Sequence, residues 1–483
     1  MRASWDLWAQ TIIHLLTLVT ILILIFSKKE ISVPRPSVPL FLFVLFCFIS
    51  IFSSANLYES RNEFFNIVTY IVIFYFAKNT DKKHIVIPVL FIGVILSIFG
   101  FYQKFSVGGN VPSFMNNPNV FAGYLVGIII IAFSVVQNKI KIILSSVFFI
   151  AILFTGSLAG LLSAVSGFLF FLYLKKTAVQ KKYIIFVCVI IAFLLIVKLS
   201  EKESFNRIVW WLSAVKMILA KPIFGVGLNT FADAYQKYKL SGLNSIYAHN
   251  YFLQLSSEIG IFGFAAFVWF LIKIFKLKKT SENIPFFAAI FAMLVHGIFD
   301  YALLIPANAI LFWIMLGYCS KPPLTAYHLP LTAITRWISV FLILATVYSQ
   351  IMIFLASRET ATGKYYLDEK KYDDAKIHFT KAIKCDDKNP QTYLFLSNVY
   401  QQYYKMTGYK SYLYEAELEL LKAAGFQKYN PQIYFDLYNI YYLRGDMQNA
   451  TLWLKKTLDA APKSVYYKKC YETLLKEMYH AEK

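Results

Sequence analysis

The chain has 483 residues, 58% of them hydrophobic and only 16% charged, with a mean hydropathy of +0.54. A soluble domain of this length cannot bury so much apolar surface, so the bulk of the chain belongs in lipid. The net charge of +21 does not signal a nucleic-acid partner, because much of it sits in short loops beside apolar runs and no nucleic-acid motif accompanies it.

Apolar runs long enough to span a bilayer predict about twelve transmembrane helices of roughly 20 residues each. They fall near 9–27, 38–55, 62–77, 84–103, 119–136, 138–155, 157–174, 183–199, 251–272, 284–301, 303–319 and 333–356. The first follows Arg2 but lacks a small-residue cleavage site, so it reads as a retained membrane helix. Basic residues then mark alternate loops: Lys28, Lys29 and Arg35; Lys78, Lys82 and Lys83; Lys139 and Lys141; Lys175, Lys176, Lys181 and Lys182; Lys273, Lys276, Lys278 and Lys279; Lys321 and Arg336. The positive-inside bias assigns those loops to the cytoplasm, and places a long polar loop at 200–250 and both termini outside. The cysteines, Cys47, Cys188, Cys319, Cys385 and Cys470, have neither metal-ligand spacing nor a disulfide-dense pattern.

Composition changes abruptly near 357. Residues 358–483 are charged, rich in tyrosine and helical in period. Tyr372, Ala375, Phe379, Ala382 and Pro390 are echoed by Ala416, Leu420, Ala423 and Pro431, and again by Gly445, Ala450, Leu454, Leu458 and Pro462. The step from Ala416 to Ala450 resembles a tetratricopeptide repeat, and the longer first step implies an insertion near 405–412. The chain therefore divides into a membrane domain, 1–357, and a repeat domain, 358–483, of the kind that binds proteins and does no chemistry itself.

Candidate chemistry gathers at the predicted outer boundary. Arg207 opens an amphipathic stretch, 204–220, in which Trp210, Trp211, Val215 and Ile218 are expected along the membrane surface. Its guanidinium either snorkels to lipid phosphate or grips a pyrophosphate. Gly225 and Gly227 form no dinucleotide fingerprint and read as a tight turn after Pro222. His249, at the mouth of a span, is either interfacial or a base toward a hydroxyl. Glu258 falls nearly opposite it on the helix, so helix packing is the leading role for that carboxylate. His296 and Asp300 form an i, i+4 pair that either orients the imidazole or fixes a helix. Asn117 and Asn119 lie in a turn whose amides bond a sugar or cap the next helix.

Taken together these residues resemble the O-antigen ligase and polymerase superfamily, which includes protein O-oligosaccharyltransferases. The matching pieces are Asn117-Pro118-Asn119 with Phe121-Ala122-Gly123-Tyr124, Arg207 with Trp210, the turn from Pro222 to Gly227 with Phe231, His249-Asn250 with Gln254, Glu258, Gly260 and Gly263, and His296 through Tyr301 followed by Ile305-Pro306-Ala307-Asn308. The resemblance implies an all-α polytopic enzyme of the bacterial cytoplasmic membrane. It implies transfer of a glycan from undecaprenyl pyrophosphate to an acceptor hydroxyl on the outer face, without cofactor or metal and with inversion. Lipid A core is the default acceptor; a growing polysaccharide or a protein is the alternative. It further implies that His249 activates the acceptor and Arg207 holds the diphosphate, with Arg61, Asn117, Asn119, His296 and Asp300 contacting substrate. A transporter or a tetratricopeptide scaffold is the non-enzymatic alternative, and a transporter would place ionisable residues deep in many spans rather than at one boundary.

Overall fold

The computed structural model describes residues 10–19, 30–34, 37–136, 138–177, 196, 202–320, 326–330 and 333–481. The span expected at 183–199 lies outside the described residues, as do Arg2, Lys28, Lys29, Arg35, Lys181, Lys182, Cys188 and Lys321. The membrane half comprises α1 (Gln10–Val19), α2 (Val38–Ser50), α3 (Leu57–Asn79), α4 (Lys82–Ser106), α5 (Pro118–Val135), α6 (Asn138–Thr155), α7 (Leu158–Leu174), α8 (Lys202–Ala220), α9 (Phe231–Tyr238), α10 (Tyr251–Phe275), α11 (Ile284–Phe299) and α12 (Pro306–Cys319). A long helix, α13 (Ala333–Asp368), leads into the tail. Among the described residues α4, α10 and residues 340–368 of α13 are long and apolar enough to cross a membrane, while α1, α2, α5, α7, α11 and α12 are apolar but shorter.

Local sequence sets where these helices begin. The side chains of Asn56, Asn117, Ser157 and Asn250 accept hydrogen bonds from first-turn amides of α3, α5, α7 and α10, and proline occupies the first turn of α5, α11 and α12. Helix α5 is central: nearly all of it is buried, against α4, α6, α7, α11 and α12. Helix α10 packs on α2, and α3 on α12.

One feature departs from an all-helical architecture. Strands β1 (Glu30–Pro34) and β2 (Ala326–Pro330) pair antiparallel, with Ser32 opposite His328. Five-residue strands show too little period to stand out beside long apolar runs, and their partners lie at opposite ends of the membrane half.

Helix α10 is broken within its apolar length. Gly260 takes φ 77° and ψ 172°, a conformation essentially restricted to glycine. The break releases backbone groups that a continuous helix would pair internally. The Ser257 and Glu258 carbonyls accept from the amides of Val226 (2.9 Å) and Gly227 (3.0 Å), and the Ile261 amide donates to the Pro222 carbonyl at 2.8 Å. The turn from Pro222 to Gly227 is thus hydrogen-bonded into the break. A Cβ on Gly225 would strike the Glu258 carbonyl, and one on Gly260 the Ile223 carbonyl.

The tail continues as α14 (Tyr372–Cys385), α15 (Pro390–Thr407), α16 (Ser411–Phe426), α17 (Pro431–Arg444), α18 (Met447–Ala460) and α19 (Val465–Ala481). Helix α13 packs on α14, α15 on α16 and α17 on α18. The recurring residues Ala375, Phe379, Ala382, Ala416, Leu420, Ala423, Ala450 and Leu454 are all fully buried in these contacts. The lengthened first step of the repeat is absorbed partly by α15, 18 residues against 14 in α17, and partly by the stretch that follows its left-handed cap, Gly408. Helix α13 runs through position 357 without interruption, so the compositional boundary falls inside a single helix that the two parts share.

The tail is fastened to the membrane half at the long loop. Arg61, on α3, donates to both carboxylate oxygens of Asp386, at 3.1 and 2.5 Å. Ala55 bonds in both directions, its amide to the Val226 carbonyl (2.7 Å) and its carbonyl to the Lys428 amide (2.9 Å). Asp233 on α9 accepts from Gln427 (2.6 Å) and Asn56 (3.2 Å). Tyr429 meets the edge of Tyr238 and lies under the ammonium of Lys237. Burial at this seam, with Tyr429 alongside, pushes the Tyr238 hydroxyl up to about 12.

Two outcomes follow from these contacts. Gly260→Ala should destabilise the membrane half by about 2–4 kcal/mol, read as a lower apparent Tm in detergent, while Gly242→Ala, with open space around its Cα, should leave Tm unchanged. Arg61→Ala strands the buried Asp386 carboxylate and should cost about 1–3 kcal/mol, and the double variant with Asp386→Ala should recover part of the loss. Limited proteolysis of the tail would report both; equal protease resistance in all three proteins would remove the proposed clamp.

Candidate functional site

Helix α8 builds one wall of the site. Its buried face, Ser213, Ala214 and Met217, packs against α9 and α10. Its exposed apolar stripe is Phe205, Ile208, Leu212, Val215 and Leu219, spaced three and four residues apart. The surface-lying role expected of Trp210, Trp211 and Ile218 is therefore carried by this stripe, of which only Val215 was expected. The two tryptophans turn inward because the loop folds back over that side of α8. The Trp211 indole N–H donates to the His249 carbonyl at 3.3 Å, and the Trp210 ring stacks on the His249 imidazole, centroids 4.8 Å apart.

His249 is held from several directions. Its backbone is left-handed, φ 51°, just before Asn250 caps α10. Glu258 accepts from the amides of Asn229 (2.9 Å) and Phe231 (3.2 Å) and from the Gln254 side chain (3.0 Å), and the Gln254 carbonyl oxygen in turn accepts from the Ala248 amide. Glu258 is thus a structural carboxylate, as its position opposite His249 implied. It supports the residue before His249 through Gln254 rather than contacting the imidazole.

Asp300 is placed differently from the expected i, i+4 pairing with His296. Helix α11 ends at Phe299 and Asp300 is extended, φ −150° and ψ 170°, which carries its side chain off the helical face. Its Oδ2 lies 3.7 Å from Nδ1 of His249, and Asp300 is fully buried. Neither of its carboxylate oxygens has a hydrogen-bond donor among the described residues. His296, 1% exposed, packs where Gly123 of α5 leaves room, with both Arg207 and Asp300 within electrostatic reach. Tyr301 presents its ring edge-on to His249 at 5.1 Å and stacks on Tyr247 at 3.8 Å.

Arg207 and Asn119 line a cavity of about 140 Å³ together with Asn110, Gly156, Ala159 and Phe299. Arg207 has no carboxylate partner among the described residues. Asn117 caps α5, its side-chain oxygen accepting from the amides of Asn119 (2.8 Å) and Val120 (3.2 Å). Arg61 is the exception among the expected site residues. Its guanidinium is engaged by Asp386 and also lies over the Tyr58 ring, 5.3 Å to the centroid, which places it at the seam with the tail.

The structure thus gathers His249 and Asp300 into one site, with Trp210 linking the imidazole to the helix that carries Arg207. Sequence reasoning took Trp210 for a membrane anchor and gave Tyr301 no role. The available signal was spacing, since Trp210 follows Arg207 by three residues and therefore shares its side of α8.

No curated protein matches the chain. Among solved structures, the first tetratricopeptide domain of Spaghetti (RPAP3) bound to an HSP90 peptide matches at 16% identity over 26% of this chain and 95% of that one. Its TM-score of 0.24 is too low to assign the fold of the tail. The Wzy_C family model, O-antigen ligase, matches residues 119–268, from the first turn of α5 through the long loop into α10. The segment that contains Arg207, His249 and the loop between them, residues 119–268, thus matches the O-antigen ligase domain.

Proposed function

We propose that this protein transfers a glycan from an undecaprenyl-pyrophosphate-linked donor to an acceptor hydroxyl at the outer face of the bacterial cytoplasmic membrane. The observation that carries the reading is an arginine lining a cavity and an imidazole, both inside the matched segment, with the buried carboxylate of Asp300, beyond that segment, 3.7 Å from the imidazole.

In this reading the guanidinium of Arg207 takes the donor diphosphate, whose oxygens suit its planar fork. Asn119, in the same cavity, bonds the sugar next to the diphosphate. His249 presents Nδ1 to Asp300, and that atom is buried, so the ring's remaining exposure, with the side chain 21% exposed, lies toward Nε2. Nε2 takes the proton from the acceptor hydroxyl as its oxygen forms the new bond to the anomeric carbon. The bond from that carbon to the diphosphate breaks, and the electron pair leaves with undecaprenyl pyrophosphate. Direct displacement inverts the anomeric centre. Arg207 offsets the charge gathering on the leaving group, and Asp300 stabilises the imidazolium.

The full set of about twelve spans, the outward placement of the loop and the tetratricopeptide character of the tail belong to the same proposal. Basic residues in alternate loops support the orientation. The buried small residues at the crossings of the helix pairs support the solenoid. Lipid A core is the default acceptor. A protein or a growing polysaccharide delivered by the tail is the second reading, favoured by the direct attachment of the tail to α9 of the loop.

Purified protein in lipid, given a labelled lipid-linked glycan, tests the chemistry. His249→Ala should lower kcat by about 10²–10⁴-fold and Arg207→Ala should lower kcat/KM by about 10²–10³-fold, with release of undecaprenyl pyrophosphate as the readout. Full transfer by either variant at normal expression would remove its assigned role. A deletion strain separates acceptors: ladders reduced to one attached unit indicate a polymerase, loss of all attached glycan a ligase, and unglycosylated secreted proteins a protein transferase.

A further inference from the structure

We propose that Trp210 is the positioning residue for the His249 imidazole, fixing its plane against Asp300. The inference rests on His249 acting as the base.

The imidazole lies between aromatic groups of different elements. Trp210 of α8 covers one face at 4.8 Å and an interplanar angle of 26°, and Tyr301 meets the ring at 5.1 Å and 82°. The charged and titratable groups around it are Asp300 and Tyr301 from the end of α11, Tyr247 from the loop, and Arg207 and His296 nearby. A buried indole N–H normally finds an acceptor, yet Trp210 Nε1 is buried without one among the described residues. The indole is therefore placed by its ring contact rather than by a hydrogen bond. The neighbouring Trp211 does the complementary work, holding the His249 carbonyl. Two consecutive tryptophans thus secure the ring and the backbone of one residue, whose left-handed φ of 51° is uncommon for a side chain of this size.

The separation of Nδ1 from Asp300 is 3.7 Å, an ion-pair distance but too long for a hydrogen bond. A shift of about half an ångström closes it, which is the ordinary tightening between an empty site and an occupied one. Without the indole face, the imidazole is free to rotate about its side-chain torsions, and the Asp300 carboxylate loses the geometry it needs.

Trp210→Phe, Trp210→Ala and His249→Ala, each in the full chain in lipid, test this. Phenylalanine keeps a stacking face and should hold kcat within about twofold, whereas alanine should lower kcat roughly 10- to 100-fold with donor KM within about twofold. A role in folding alone would lower the yield of active enzyme without that split, and a role in donor binding would raise KM. A second measurement needs no tryptophan variant. An imidazole stacked on an indole quenches it by contact, so tryptophan emission read at one fixed pH should be higher in His249→Ala than in the wild type. Unchanged kcat in Trp210→Ala, a loss confined to KM, or no His249-dependent quenching would each overturn the inference. If Trp210→Ala does not fold, the quenching decides. An inactive His249→Ala beside a fully active Trp210→Ala removes only this inference, whereas a fully active His249→Ala removes the catalytic reading beneath it.

Discussion

The hydrogen bonds that fill the break in α10 at Gly260 set the position of everything around the site. Hydrocarbon offers no partner for an unpaired amide or carbonyl, so an irregular backbone inside an apolar helix is tolerable only where other protein groups satisfy it. Here the turn from Pro222 to Gly227 supplies them, bonding to Ser257, Glu258 and Ile261. The loop is consequently not a mobile excursion from the bilayer. Its first turn is part of the same hydrogen-bond system as the membrane helix, and α8 before it and α9 after it inherit that fixed origin.

Glu258 extends the same constraint to the imidazole. A carboxylate in such a place is costly unless its lone pairs are met, and the amides of Asn229 and Phe231 and the side chain of Gln254 meet them. Because Gln254 also accepts from the Ala248 amide, the network reaches the residue before His249. The contrast with Asp300 is informative. Both acids are buried, but Glu258 accepts three hydrogen bonds, whereas neither Asp300 oxygen has a donor among the described residues and the His249 imidazole stands 3.7 Å away. The first arrangement is that of a strut, and the second leaves a carboxylate whose hydrogen bonds are still to be made.

How far the sequence discloses this depends on the range of the interaction. Apolar runs and helix caps are local, and they announced most of the described helices, including the cap at Asn117. The repeat in the tail was equally legible, since small residues at crossings recur in register. Pairings between distant segments were not. Arg61 and Asp386 are 325 residues apart, and nothing near Arg61 distinguishes a seam arginine from a substrate arginine. Asp300 looked like the partner of His296 because both sit on one apparent helix, and the helix ends one residue too early for that. The division near 357 follows a real change in composition, but composition records solvent and lipid, not where a helix stops, and α13 passes from one to the other intact.

The seam between tail and loop bears on how an acceptor reaches the site. A domain on a flexible tether raises the effective concentration of its cargo but leaves orientation to diffusion. This tail is not tethered in that way. It is continuous with a membrane helix through α13, and it is bound a second time through Asp386, Gln427, Lys428 and Tyr429 to residues of α3, α9 and the chain just before α3. Two separated attachments fix both distance and direction. An acceptor held by the tail would therefore arrive at His249 with a set approach, and the conformational entropy of that alignment would already be lost on folding rather than at each turnover. Arg61 acquires its meaning there, because its ion pair with Asp386 holds the tail against the loop that contains His249.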